Sequence, residues 1–247
     1  MALRIPQLDP DPASPFPPAE CALQEPDGLL AMGGDLSPAR LLNAYRHGIF
    51  PWYSRGQPIL WWSPDPRMVF RSDGVKLSSR FRRSLKSSAW EVRADTAFAA
   101  VVAACAATPR PGQRGTWITD AMQAAYVELH HLGHAHSVEV FSGTRLVGGI
   151  YGVAVGRMFF GESMFSGESG GSKLALAALA HRLRGWDWPL IDAQVESPHL
   201  LGLGAESWSR RDFIARVATL VSIPQPTGRW TECFGRLPAH ALSRAAV

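Results

Sequence analysis

The stretch Leu146–Lys173, LVGGIYGVAVGRMFFGESMFSGESGGSK, constrains the fold more than any other. Two apolar runs, Leu146–Val155 and Met158–Phe165, flank the short turn Val155-Gly156-Arg157. Runs of that length around a glycine-containing turn predict a β-hairpin buried on at least one face. One carboxylate, Glu162, stands inside the second run. Strand side chains alternate, so Phe160, Glu162 and Met164 are expected on one face. A charge on an apolar face is expensive unless it is paired or opens on a cleft. Two readings stay open: a salt bridge at a strand end, or a carboxylate lining a pocket that takes an apolar and a positive group together.

Helices and strands alternate around the hairpin. Ser37 is expected to cap a helix with Pro38 in its first turn and Gly48 at its end, and Leu41, Leu42 and Tyr45 share a side. Aromatic clusters follow at residues 49–53 and 59–62. The Pro-rich run Ser63-Pro64-Asp65-Pro66 divides a small N-terminal domain with an extended arm, residues 1–65, from a larger domain, 66–247. In the larger part the sequence predicts strands at Met68–Phe70, Trp90–Arg93 and Ser137–Phe141. Helices are capped by Ser78 or Ser79, by Asp95 and by Thr119. The loop PRPGQRGTW is mobile by composition. Beyond the hairpin, Ser172 is expected to cap a helix stopped by Gly185. A strand at Pro189–Val195, a short helix from Pro198, a helix capped by Ser209 with Asp212, and a loosely held polar tail complete the chain. This order predicts a mixed α/β (α+β) fold with a mostly antiparallel sheet.

With 247 residues, 46% of them hydrophobic and 19% charged, the chain reads as a soluble globular protein. No apolar run reaches ~18 residues, which argues against a membrane helix. The N-terminus lacks the basic and apolar regions of a signal peptide. Cys21, Cys105 and Cys233 are far apart and form no CxxC or metal pattern, which fits a reducing cytoplasm. A cytoplasmic monomer is expected. Net charge is +4, but residues 67–93 carry eight basic and two acidic residues, a local net of +6. Arg80, Arg82, Arg83 and Lys86 fall on the outer side of the helix there. Such an excess suits a polyanion, or forms a solvated basic face.

Asp192 and Gln194 are two apart on the predicted strand LIDAQV and so share a face. A carboxylate accepting from the glutamine NH₂ leaves the amide oxygen oriented to hold an amine. The alternative is two polar residues on a solvated strand face. Other motifs fail. In Gly167–Leu174, Ser172 and Leu174 replace the second glycine and the hydroxyl of a phosphate loop. His130 and His131 fall in a last helical turn, where imidazole complements the helix dipole, so the histidine-rich stretch is not expected to hold metal. No GxSxG is present and no cysteine sits beside a candidate base, so covalent catalysis has no good nucleophile. Of the nine tryptophans, Trp52, Trp61, Trp62 and Trp117 fall on loops or turns. Aromatics beside a basic helix suit stacking on unpaired bases. Trp61 and Trp62 are read instead as packing the seam between domains.

The segments GGDLSPARLLNAYRHGIFPWY, PILWWSPDPR, GTWITDAM, GHAHSVEV, LVGGIYGVAVG, FFGESMFS and LIDAQV occur in this order. The chain, from about Phe16 to Arg211, strongly resembles the bacterial leucyl/phenylalanyl-tRNA–protein transferases. The resemblance implies an enzyme moving Leu or Phe from aminoacyl-tRNA to proteins that begin with Arg or Lys, marking them for degradation. It also implies a small N-terminal domain on a larger one similar to the N-acetyltransferases. Tyr45, Trp52, Trp117, Tyr126, Glu162, Asp192 and Gln194 match the family's active-site motifs; Ala193 stands where the family usually has Cys. The donor ester is already activated, so no cofactor or metal is expected. Asp192 and Gln194 are the candidate catalytic pair, and Phe160 and Met164 border an apolar side-chain pocket. Tyr45, Trp52 or Trp117 is expected to stack on the terminal adenine, and Arg80, Arg82, Arg83 and Lys86 to hold acceptor-stem phosphates. Two rivals are an acyl-CoA-dependent N-acyltransferase, which needs a glycine-rich pyrophosphate turn, and a non-catalytic RNA-binding module, which leaves Asp192 and Gln194 unexplained.

Overall fold

The computed structural model describes residues 5–109 and 116–244. A small sheet, ordered β1-β3-β2, is built from β1 (Leu29–Met32), β2 (Phe50–Pro51) and β3 (Leu60–Trp62), with helix α1 (Pro38–Arg46) between the first two strands. As the sequence predicts, Ser37 caps α1, accepting the Arg40 N–H, and Pro38 follows it. Trp61 fills the unit's interior, wholly buried, with its indole N–H on the Gly33 carbonyl at 2.9 Å.

The remaining elements are β4 (Arg67–Arg71), α2 (Ser79–Leu85), β5 (Trp90–Ala94), α3 (Phe98–Ala107), α4 (Asp120–His131), β6 (Ala135–Ser142), β7 (Arg145–Val155), β8 (Met158–Ser166) and α5 (Gly171–Gly185). They continue through β9 (Leu190–Gln194), α6 (Pro198–Gly202), β10 (Glu206–Trp208), α7 (Arg210–Val221), α8 (Thr231–Phe234) and β11 (Leu237–Pro238). Eight strands form one sheet ordered β10-β4-β9-β8-β7-β6-β5-β11. Among the described residues of this sheet only the β8–β9 pair is parallel. This is the mixed, mostly antiparallel α/β architecture expected.

Each sheet face carries a core. On one, Tyr45, Tyr126, Phe160 and Phe213 join the sheet to α1, α4, α7 and the small unit. On the other, Leu174–Leu183 of α5 covers Phe70, Phe159 and Ile191. The start of α5 presses directly on β7: a Cβ at Gly148 would lie 2.4 Å from the Gly171 backbone.

The predicted hairpin is present, as β7 and β8, with Gly156 in the left-handed region at φ 56°. Its alternation breaks inside β8. Tyr151 pairs with Ser163 but Gly152 with Gly161, so Glu162 is the extra residue of a bulge. The single-face expectation for Phe160, Glu162 and Met164 is therefore corrected. Phe160 packs with Tyr45, whereas Met164 pairs with Ile150 and packs on the α5 side.

Other local expectations also change. Asp95 does not cap α3. Its φ is 57°, and its carboxylate accepts from His136 Nδ1 and from the N–H groups of Ser137 and Trp230. Glu139 reaches across from β6 instead, accepting the Thr96 and Ala97 N–H groups at 3.4 Å ahead of α3. Ser172 lies inside α5, whose cap is Gly170 at φ 95°. The tail is not loosely held: β11 pairs with β5, Trp230 stacks on His136 at 3.9 Å, and Ala239 and Leu242 are wholly buried. Residues 110–115 of the loop read as mobile lie outside the described residues.

Candidate active site

The site grows from the one parallel pair. Its ladder ends at Phe160 opposite Asp192, although β8 runs on to Ser166. Beyond that point the strands part. Gly161 stands at the parting, where a Cβ would sit 2.9 Å from the Asp192 carbonyl oxygen. A cleft of about 650 Å³ opens on one side, bordered by Phe50, Trp52, Trp117 and Gln194. A smaller one, about 240 Å³, opens towards Phe70, Ile150, Met164, Leu176, Ile191 and Leu200. Glu162, Ala193, Ser197 and His199 border both.

β9 is also irregular, with Val69 opposite Asp192 and Met68 opposite Gln194 so that Ala193 is extra, and the linkage of Asp192 to Gln194 differs from that expected. Asp192 Oδ1 accepts the backbone N–H of Gln194 at 2.9 Å, turning the strand end. Gln194 sits at φ 62°, a conformation that costs a non-glycine residue about 1–2 kcal/mol. The Asp192 side chain is committed to Arg67, whose Nε and Nη2 donate at 2.8 and 2.7 Å. Both side chains are wholly buried. Arg67 also donates to the Gly48 carbonyl at 3.1 Å and lies between the Phe50 and Phe213 rings. Asp192 thus fixes the Gln194 backbone and does not orient its amide, whose Nε2 donates to Glu162 instead.

Glu162 orients the amide. Gln194 Nε2 donates to Glu162 Oε1 at 2.7 Å, leaving the amide oxygen as the end available to the cleft. The Tyr45 hydroxyl donates to Oε1 at 2.7 Å and the Tyr126 hydroxyl to Oε2 at 2.8 Å. The two phenol oxygens lie 2.7 Å apart. Three oxygen–oxygen contacts therefore close a ring, and two phenolic protons cannot fill them all. With a proton on Glu162 the carboxyl donates to one tyrosine, that tyrosine donates to the other, and all three contacts are filled. Burial pushes this carboxyl up to about 7; the tyrosine hydroxyls oppose the shift and the Asp192 charge reinforces it. Burial, followed by the Glu162 charge, also raises the Tyr45 and Tyr126 phenols well above their usual range.

These positions decide several expectations. Glu162 has no cationic partner among the described residues, and both its oxygens accept hydrogen bonds from side chains. Tyr45 is wholly buried behind Glu162 and cannot stack on a base. Tyr126 is likewise buried, and Phe160 lies against the Tyr45 ring at 5.2 Å rather than in a pocket. Met164 does border the smaller cleft. Trp52 and Trp117, both half-buried, face the larger one.

The basic helix lies elsewhere. Arg80, Arg83 and Lys86 of α2 are exposed and Arg82 is half-buried. Among the described residues none of the four has a carboxylate within 4 Å. Arg80 borders a serine-lined groove with Lys173, not the clefts. Of the other basic residues in 67–93, Arg67, Arg71 and Arg93 are paired, with Asp192, Asp73 and Glu91. Arg67 is the site residue that sequence reading missed. Its signal was Asp192 itself, a carboxylate on a strand face that needed a partner. No group of three or more His, Cys, Asp or Glu is arranged to hold a metal among the described residues. No helix there is long and apolar enough to cross a membrane.

A family model described as leucyl/phenylalanyl-tRNA protein transferase matches residues 69–218, and one described as that protein's N-terminal domain matches residues 34–65. A protein of Xanthomonas euvesicatoria pv. vesicatoria named leucyl/phenylalanyl-tRNA–protein transferase is 71% identical, covering 93% of this chain and 92% of its own. Relatives of the same name from Xanthomonas axonopodis pv. citri and Xylella fastidiosa are each 65% identical, covering 100% and 97% of both chains respectively. These matches put the chain among the transferase enzymes. It belongs to the leucyl/phenylalanyl-tRNA–protein transferase family.

Proposed function

We propose that the chain transfers leucine or phenylalanine from the 3′-end of its tRNA to the α-amino group of a protein beginning with Arg or Lys, marking that protein for degradation. One observation carries this reading: the Gln194 amide, held from behind by Glu162, turns its oxygen towards a cleft bordered by two indoles. That oxygen accepts an N–H of the incoming neutral amine and aims the nitrogen lone pair at the ester carbonyl. As the C–N bond forms, the C–O bond to the ribose breaks, and the amine proton passes to the departing ribose oxygen. No protein nucleophile is required.

Trp52 and Trp117 hold the terminal adenine, and the smaller apolar cleft beside Met164 takes the leucine or phenylalanine side chain. Such a pocket discriminates by only about 1–3 kcal/mol per methylene, which suits two donors. Arg80, Arg82, Arg83 and Lys86 hold acceptor-stem phosphates. Residues 1–65 and 66–247 work as two units joined through Arg67 on Gly48, in a cytoplasmic monomer. The test is transfer of labelled leucine from Leu-tRNA to a peptide beginning with Arg, with an Asp-initiated peptide as control. Incorporation into the Arg peptide alone is the expected result. Incorporation into neither, by folded protein that still binds the tRNA, leaves an RNA-binding module.

A further inference from the structure

The larger cleft does not end at its two indoles. Trp52 and Trp117 also border a groove of about 470 Å³ on the small-sheet side, so the same two rings border both cavities. Tyr53 and Trp62 form the rest of its aromatic wall, with Gln57 and Thr116 as polar edges. Trp62 is held in place by its indole N–H, which donates to the Trp52 carbonyl at 2.6 Å. Its ring centre lies 5.5 Å from that of Trp52. Sequence reading put Trp61 and Trp62 together in the domain seam. Only Trp61 is wholly buried; Trp62, Tyr53, Trp52 and Trp117 all remain half-buried around the groove.

The groove's chemistry narrows its occupant. Among the described residues no charged side chain lines it, so none of them offers a carboxylate to the cationic first residue of an acceptor protein. Flat π-faces with neutral hydrogen-bonding edges match a nucleobase, and stacking on such rings tolerates any base. A cation stands on the adjoining turn: Arg55, between Ser54 and Gln57, makes a 2.9 Å contact with Asp120 in which both side chains are more than four-fifths exposed. Exposed pairs of this kind contribute little, which leaves Arg55 free to exchange its partner for a phosphate.

We infer that this groove is the subsite for the penultimate nucleotide of the tRNA 3′-end, the cytidine preceding the terminal adenosine, with its base against Trp62. The inference rests on the reading that the terminal adenine lies at Trp52 and Trp117. It is tested with two non-hydrolysable fragments, 3′-leucylamido-adenosine and the same group on cytidylyl-(3′→5′)-adenosine, titrated calorimetrically against the full chain. The dinucleotide is expected to bind the wild type at least about fivefold more tightly. That ratio should fall towards one in Trp62→Ala and to an intermediate value in Trp62→Phe. Because the readout is a ratio, a general loss of affinity cancels, and the phenylalanine variant decides if the alanine variant does not fold. An unchanged ratio in the variants, or no gain in the wild type, overturns the subsite while leaving the transfer reading intact. A variant that instead raises KM only for the Arg peptide gives the groove to the acceptor. Failure of the wild type to bind either fragment overturns the transfer reading itself.

Discussion

Two buried carboxylates, Glu162 and Glu139, stand on strands of the same sheet and are pushed up to about 7, burial being the largest cause for both. Their surroundings differ. Each Glu139 oxygen meets one hydroxyl and one backbone N–H: Ser137 Oγ and Ala97 N on one, Thr96 Oγ1 and Thr96 N on the other. The ionised form satisfies every donor, and the group does the work of a helix cap from a neighbouring strand. Glu162 meets only side chains, drawn from α1, α4 and β9, and it borders both clefts. Its ring of contacts is complete only when the carboxyl carries a proton. A buried acid that organises backbone belongs to the fold. One that gathers side chains at the edge of a cleft is, under the proposed function, part of the chemistry.

The largest effect should come from the carboxylate between these two cases. Asp192 borders the smaller cleft, yet its oxygens are bound to a wholly buried guanidinium. Asp192→Ala leaves Arg67 charged and unpaired between two aromatic rings, which should lower stability by about 3–5 kcal/mol in urea unfolding. Sequence reading made Asp192 mainly a determinant of turnover. A loss below about 1 kcal/mol with turnover abolished would restore that role and place Asp192 beside Glu162 rather than Glu139.

Gln194→Ala and Glu139→Gln should divide the two regions. Removing the Gln194 amide takes away the oriented acceptor, so kcat should fall about 100-fold, equivalent to about 2.7 kcal/mol. Stability should move by no more than about 1 kcal/mol, and KM for the aminoacyl-tRNA by less than about threefold. Glu139→Gln should do the reverse: a loss of about 1–2 kcal/mol from the weakened cap, with kcat in the folded protein nearly unchanged. Paired urea melts and steady-state kinetics check both. Equal losses of kcat in the two variants would end the distinction.

What could be read beforehand followed the range of the forces involved. Ser37, Ser78, Thr119 and Ser209 each cap the helix that follows, accepting an N–H three residues on. That chemistry is complete within a few residues. The Gly156 turn was legible for the same reason. The bulge at Glu162 was not, because counting alternate residues assumes an unbroken ladder, and its break depends on the facing Tyr151–Gly152 step. Arg67 looked like part of a basic surface because its partner lies 125 residues away. Tyr45 was visible as a position on the apolar side of its helix, but its hydroxyl meets that of Tyr126 only when α1 and α4 pack on one sheet face. The cap of α5 lies at Gly170 and not Ser172, and the close approach of Gly171 to β7, which admits no side chain there, is a contact across the sheet that local pattern does not reveal. The tail is tied by Asp95, 135 residues from Trp230.

The smallest effect lies in the dependence on pH, and it separates the two acids most finely. An unfolded glutamate releases its proton near 4.5, whereas folded Glu162 holds it to about 7. Below about 4.5 both states are protonated and the group adds no pH dependence. Between 4.5 and 7 the folded chain binds the extra proton, so stability falls as pH rises through this window and levels off above it. One group contributes at most about 1.4 kcal/mol per pH unit. Glu139 acts with the same sign. Glu162→Gln supplies a permanently neutral acceptor for Gln194 and should flatten the stability curve between pH 5.5 and 6.5 by about 1 kcal/mol per unit. The wild type should also lose kcat relative to this variant as pH passes 7, because ionisation leaves one contact of the ring without a proton. Glu139→Gln should flatten stability without altering that ratio. A Glu162→Gln variant that keeps the full stability slope and tracks the wild-type rate at every pH would remove the proton from Glu162. Gln194 would then be held by a carboxylate, in a site no different in kind from Glu139.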